Sequence, residues 1–516
     1  MLFNSYFFIL VFLPLTLLVF FALGRKGERR LAIGWMVAAS LFFYGWWNPA
    51  NLGLIISSIL FNYSIGTILG DERRHYAVRK GAFVLGITAN LAVLAYYKYA
   101  NFFLENLNAA LGTGYGLAEI ILPLGISFFT FTQIAFLVDA YRGEVREYNF
   151  LHYALFVTYF PHLIAGPVLH HKEMMPQFGH ASIFRFDALN FSAGLTYFVL
   201  GLFKKVILAD GIAGFGAPVF AVAAKGLPLS YLDAWGGALS YTFQLYFDFS
   251  GYSDMAIGLA LMMGLRLPLN FNSPYKAVNI IEFWRRWHMT LSRFLRDYLY
   301  ISLGGNKKGE TRRYAHLMIT MLLGGLWHGA GWTFVIWGGL HGFYLMVNHG
   351  WQVFRRRLGH DLKSSTWWGR SLSTLLTFFA VVIGWVYFRS NNLDTAHHIL
   401  KNMAAIPEFR LSPFYSDLVL NSSLGHWTDL AGLQISAEIM LVAYIAMVAG
   451  IAFFAPNTQE IMGRYYLQPR GSAETALSNS KGLWSPRLLW ACVISVAAAW
   501  SLLGLTQISE FLYFQF

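Results

Sequence analysis

Charged side chains are scarce in this chain. Asp, Glu, Lys and Arg make up 12% of its 516 residues, about half the roughly 25% of an ordinary soluble domain, and that shortage excludes a soluble globular protein. Cysteine is nearly missing as well. Cys492 stands alone in an apolar stretch, so neither an internal disulfide nor a cysteine-rich metal site can form. No P-loop occurs, no Gly-x-Gly-x-x-Gly joins a strand to a helix, and no Gly-x-Ser-x-Gly elbow is present, which argues against soluble nucleotide or serine-hydrolase chemistry. The 15 histidines include no H-x-x-x-H or H-E-x-x-H pair and none is followed five positions later by aspartate. A helical metal site is therefore not expected, and the H-x4-D acyltransferase signature is absent.

What the chain has instead is apolar surface: 56% hydrophobic and 18% aromatic residues. Crossing a hydrocarbon core of about 30 Å takes roughly 20 apolar residues in a helix, and runs of that kind recur along nearly the whole sequence. They are apolar all round rather than alternating, which excludes a β-barrel. The expected fold is an all-α polytopic membrane protein. Candidate segments are Met1 to Gly24, two within Leu31 to Gly70 broken near Asn48-Pro49, Gly81 to Tyr97, Ile120 to Val138, Tyr148 to Val168, Ala188 to Phe203, Gly211 to Ala224, Ala234 to Leu265, Tyr314 to Phe354, Ser371 to Phe388, Ile439 to Gln459 and Leu488 to Ser509; about eleven spans or re-entrant pieces are expected from them.

The net charge of +12 does not point to nucleic acid, because the basic residues sit in short connections between apolar runs, as in cytoplasmic loops of membrane proteins. Arg25, Lys26, Arg29 and Arg30 follow the first run, and Arg73, Arg74, Arg79 and Lys80 follow the third. Met1 to Gly24 lacks the basic start and small-residue cleavage site of a signal peptide. A retained first helix with its N-terminus outside is expected. No repeat is evident, and residues 1–516 read as one membrane domain with a probable extramembrane linker at Arg464 to Arg487.

Three constellations could carry chemistry. In EFWRRWHMTLSRFLRDYLYISLGGNKKG, from Glu282, a helix would place Trp284, Trp287, His288, Leu291, Leu295 and Tyr298 on one face. The bland reading is an interfacial helix touching lipid phosphates and the aromatic belt. The functional one offers Arg285, Arg286, Lys307 and Lys308 to a phosphorylated ligand entering from the cytoplasm. Second, Tyr314 to Phe354 has 41 residues without formal charge but holds His316, His328, His341 and His349. His328 lies in GGLWHGAGW, whose glycines give the backbone little reason to stay helical, and 14 residues of helix from Tyr314 would carry it about 21 Å into the membrane. A buried neutral imidazole there can accept a proton from a hydroxyl, although a lone buried histidine is more often a packing residue. Third, YFDFSGYSDMAIG carries Asp248 and Asp254, which do not share a helix face. Each is expected to pair with an arginine or to cap a broken helix end. A proton-coupled transporter or flippase would use such groups too, and a noncatalytic scaffold is a third possibility.

Those two carboxylates, the WRRWH stretch and MLLGGLWHGA, in this order and spacing, closely resemble the membrane-bound O-acyltransferase (MBOAT) family. Within it the likeness is to the bacterial polysaccharide branch typified by the alginate O-acetylation protein, with teichoic acid D-alanylation more distant. FFYGWWNP from Phe42, YYKYANF from Tyr96, LPLGISFFTF from Leu122, FPHLIAGPV from Phe160 and FLYFQF from Phe511 match as well, whereas Trp351 to His426 matches weakly. The resemblance implies a ring of tilted helices around a thin central partition with a funnel on each side, in the bacterial inner membrane. It implies an O-acetyltransferase in which His328 is the catalytic candidate and His288 lines the funnel beside it. Trp327 and backbone N–H groups near Gly329 would help stabilise an oxyanion, with Trp287, Arg285, Arg286, Lys307, Lys308, Asp248 and Asp254 as further binding candidates. The implied donor is acetyl-CoA or an acyl-carrier thioester, with no covalently bound cofactor. The implied acceptor is an alginate- or cellulose-like exopolysaccharide, reached directly or through a periplasmic relay protein.

Overall fold

A computed structural model describes residues 1–117, 120–145, 147–307, 309–361, 366–422, 435–463, 465, 483–506 and 511–512. Among these residues the chain is helical without a strand, as the all-round apolar runs require: in lipid, a helix satisfies its own backbone donors and acceptors. Six stretches of the described residues are long and apolar enough to cross a membrane, namely Phe8–Arg25, Asn51–Gly70, Tyr76–Leu111, Ala188–Ala224, Trp367–Arg389 and Ala437–Phe454. Shorter apolar helices, Ile126–Tyr141 and Leu488–Leu503, accompany them. The break expected near Asn48-Pro49 separates the helices Arg29–Gly45 and Asn51–Gly70.

The chain divides into two compact units, each drawn from several stretches of sequence. The first comprises Met1–Phe203, Ser250–Asn270 and Thr458–Phe516. Its core is aromatic, with Phe12 and Phe43 packed on Phe160 at ring separations of 5.4 and 5.5 Å. The Ala188–Phe203 helix lies backbone to backbone on residues 250–262. A Cβ at Gly194 would collide with the Gly258 carbonyl, and one at Gly201 with that of Gly251. Gly194, Gly201 and Gly258, where a Cβ would meet the Gly194 carbonyl in turn, are packing residues that let two helices approach closely. Asn62 and Asn90 exchange amide hydrogen bonds of 3.2 and 2.6 Å between neighbouring helices. Most of the expected 464–487 linker lies outside the described residues.

The second unit comprises Lys204–Phe249 and Phe271–Asn457. Here two expectations need correction. Tyr314 to Phe354 is not one span but a helical hairpin, Glu310–His328 and Trp332–Arg357, turned by Gly329–Gly331. The two helices press together so closely that a Cβ on Gly325 would overlap the Phe334 carbonyl, and one on Gly338 the Met321 carbonyl. The second correction concerns the amphipathic helix. Glu282 to Tyr298 divides into Ile280–Trp284, Met289–Phe294 and a π-helical turn Leu295–Tyr300. The break falls at Arg285–His288, because His288 has φ +41°, a left-handed conformation that no helix interior accepts.

Candidate active site

His328 is the last residue of the Glu310–His328 helix. The glycines before it do not break that helix, as the sequence suggested they would. They serve the hairpin contact, and the helix stops only at Gly329, whose backbone is extended. At 1.5 Å per residue the 18 steps from Glu310 span about 27 Å, most of a hydrocarbon core. Only 4% of His328 is exposed. Its ring meets Trp327 at 4.8 Å, Trp337 at 5.1 Å and Phe388 at 5.1 Å, each close to edge-on.

His288 is fully buried and its ring centroid lies 6.5 Å from that of His328. The ring edge of Phe249 meets it at 4.8 Å, with planes 89° apart, and Trp327 stands 6.3 Å away. The left-handed backbone costs on the order of 1–2 kcal/mol in a residue with a Cβ, and such outliers persist where the surroundings over-determine them. Three things do so here: the short helices on either side, the Phe249 ring, and the Asn272 N–H donating to the Arg286 carbonyl at 2.9 Å. Two histidines, 40 positions apart in sequence, are thus brought into one aromatic enclosure.

The remaining candidates separate into groups. Trp287 is buried and faces Phe271, Phe283 and Trp385, the last at 4.8 Å. It walls the enclosure with no direct ring contact to either His288 or His328 among those resolved. Arg286 donates to Glu282 at 2.6 Å and to the Asn272 carbonyl at 3.3 Å, so it staples its own segment. Arg285 and Lys307 are exposed, and Lys308 lies outside the described residues. Asp248 forms an ion pair with Lys205, Oδ1 to Nζ 2.8 Å. Asp254, in the first unit, accepts from Thr458 Oγ1 at 2.6 Å and from Gln459 Nε2 at 3.1 Å. Both are buried in the middle of the Tyr231–Met262 helix, where an N–H to cap is not available.

Sequence reasoning named His341 without giving it a role and passed over other residues of the enclosure. His341 is fully buried, 4.8 Å from Trp337 and 5.2 Å from Trp284. Trp385 and Phe388 come from the Trp367–Arg389 helix, three residues apart on one face, a pattern no different from ordinary packing. Phe249 hid beside Asp248. Among the described residues no three His, Cys, Asp or Glu side chains gather as a metal-holding group.

Residues 76–388 match the family described as MBOAT, membrane-bound O-acyltransferase, a stretch that includes both histidines. The chain is 44% identical over 432 residues to the peptidoglycan O-acetyltransferase of Helicobacter pylori, covering 79% of this chain and 80% of that protein. It is 40% identical over 532 residues to the probable alginate O-acetylase AlgI of Azotobacter vinelandii, and 38% identical over 552 residues to that of Pseudomonas aeruginosa, with each pair covered over its full length. The chain belongs to the membrane-bound O-acyltransferase family and is an O-acetyltransferase, a multi-pass protein of the bacterial inner membrane.

Proposed function

We propose that His328 is the general base of an acetyl transfer from a cytoplasmic thioester, acetyl-CoA or an acyl carrier protein, to a hydroxyl presented from the other face of the membrane. The observation that carries the proposal is the placement of His328 and His288 6.5 Å apart in an enclosure of indoles and phenyl rings. In such surroundings a thioester is shielded from competing water, and an imidazole is the side chain suited to take a hydroxyl proton.

The reaction balances within the site. His328 takes the acceptor's hydroxyl proton as the oxygen attacks the thioester carbonyl carbon. The tetrahedral intermediate collapses, the C–S bond breaks, and the departing thiolate takes the proton back from the imidazolium. His288 and the indole N–H of Trp327 stand beside the developing oxyanion, where donors are most effective. Arg285 and Lys307, both exposed, are candidates for the donor's phosphates.

The acceptor class follows from the relatives, one named for peptidoglycan and the others for alginate. Both are glycans, so the acceptor proposed here is a polysaccharide hydroxyl, reached directly or through a periplasmic relay protein. The experiment is reconstitution of the chain in lipid with radiolabelled acetyl-CoA, following thioester loss and label transfer to a glycan fraction or supplied periplasmic protein. Folded His328→Ala should lose at least about a hundredfold in kcat. Turnover equal to the parent's would remove His328 from the chemistry.

A further inference from the structure

Lys205 is a buried cation within an apolar run, 1% exposed, and acetyl transfer as derived above makes no use of it. It lies in the π-helical turn Lys204–Ala209, which leads into the Asp210–Ala224 helix. Its Nζ is 2.7 Å from Asp210 Oδ1 and 2.8 Å from Asp248 Oδ1. The π-turn accounts for the first contact. An i to i+5 ladder brings residues five apart over one another, and 205 and 210 are five apart, whereas a regular α-helix would turn them to different sides. A single extra residue in the helix thus gathers one ammonium and two carboxylates. Arg389 brings a further positive charge to this side of the Tyr231–Met262 helix, its guanidinium standing 5.9 Å from the Tyr241 ring centroid.

Such a cluster is costly in a membrane and poor as a stabiliser, since desolvation consumes most of the attraction. Its value is in fixing register. Asp248 is followed directly by Phe249, and successive residues on a helix point about 100° apart, so holding Asp248 against Lys205 sets the direction of the next side chain. That side chain is the ring whose edge meets His288 at 4.8 Å. His288 has a left-handed backbone at a break between two short helices, and the Phe249 ring is one of the walls against its side chain, with Trp327 and His328.

We propose that Lys205 and Asp248 are positioning residues of the acetyl transfer, acting through Phe249 on the orientation of His288. The inference rests on the reading of His288 and His328 as the reacting pair, and it moves Asp248 from the substrate-binding candidates to a supporting role.

The test is a double-mutant cycle in the reconstituted enzyme with acetyl-CoA as donor, comparing the parent, Lys205→Met, Phe249→Leu and the double variant, with kcat, donor KM and Tm measured for each. Each single change should lower kcat about ten- to a hundredfold, the range expected from a small misplacement of a reacting group. The double should fall no further than the worse single, with donor KM unchanged. Losses in kcat that multiply, or that follow Tm from variant to variant, overturn the proposal. If Lys205→Met does not fold, Lys205→Met with Asp248→Leu removes the charge pair together. That variant should fold and remain slow, and parental kcat in it overturns the proposal. His288→Ala, measured alongside, reports separately on the underlying reading, because full activity there removes His288 from the reaction whatever the cycle shows.

Discussion

The hairpin Glu310–His328 and Trp332–Arg357 differs from the segment Ile280–Tyr300 in how each holds its histidine. In the hairpin the backbone is regular up to His328, and the helices are locked by glycines so close that no side chain fits between them. In the segment the backbone is irregular at the residue that matters, and packing from outside compensates: Phe249 meets His288, Trp385 meets Trp287, and Arg286 is tied to Glu282. A side chain can be aimed by a rigid element beneath it or by walls around it. This site uses one of each, which teaches that the two histidines should respond differently to substitution nearby.

Substitutions at the two histidines and at their supports test this difference. The largest effect is on chemistry. His328→Ala should cost between about a hundred- and ten-thousandfold in kcat with the hairpin intact, measured as label transfer beside a far-ultraviolet circular dichroism spectrum. Next comes packing. Gly338→Leu puts a branched side chain where even a Cβ meets the Met321 carbonyl, so thermal unfolding should show a loss of roughly 1–3 kcal/mol; an unchanged Tm would mean that the hairpin is looser than described. A smaller and more diagnostic effect lies at the left-handed residue. In a helix interior glycine is less stable than alanine by about 0.5–1 kcal/mol, whereas at φ +41° the order should vanish or reverse. His288→Gly should therefore unfold at or above the temperature of His288→Ala, and the helical order would show that the backbone relaxes once the imidazole is gone. The smallest is Glu282→Gln. Its pair with Arg286 is partly solvated, the side chains being 27% and 25% exposed, and its removal should change stability by no more than about 1 kcal/mol.

Much of this was legible in the sequence. The apolar runs gave the helical membrane class, and the LWHG and WRRWH stretches singled out both histidines that the fold brings together. The failures have physical causes. The period of 3.6 from Trp284 to Tyr298 is genuine, but it records side chains facing a common aromatic core, which three short helices satisfy as well as one long helix. The glycines before His328 looked like helix breakers because a single chain does not reveal the neighbour that needs their missing side chains. Lys205 escaped notice since a lysine among loop-forming basic residues reads as topology, and no local pattern announces the π-turn that swings it inward.

The indoles around the histidines have one more consequence. Trp385 lies 5.7 Å from Trp337 with planes 19° apart, and 4.8 Å from Trp287, so transitions on these rings couple. Three of the chain's 17 tryptophans thus form a fixed chiral array beside the reacting groups, and the near-ultraviolet dichroism of the protein carries a signature of that small volume. A variant whose helices are intact but whose enclosure has slackened would keep its far-ultraviolet spectrum and lose this band, an optical gauge of the site's rigidity that requires no substrate.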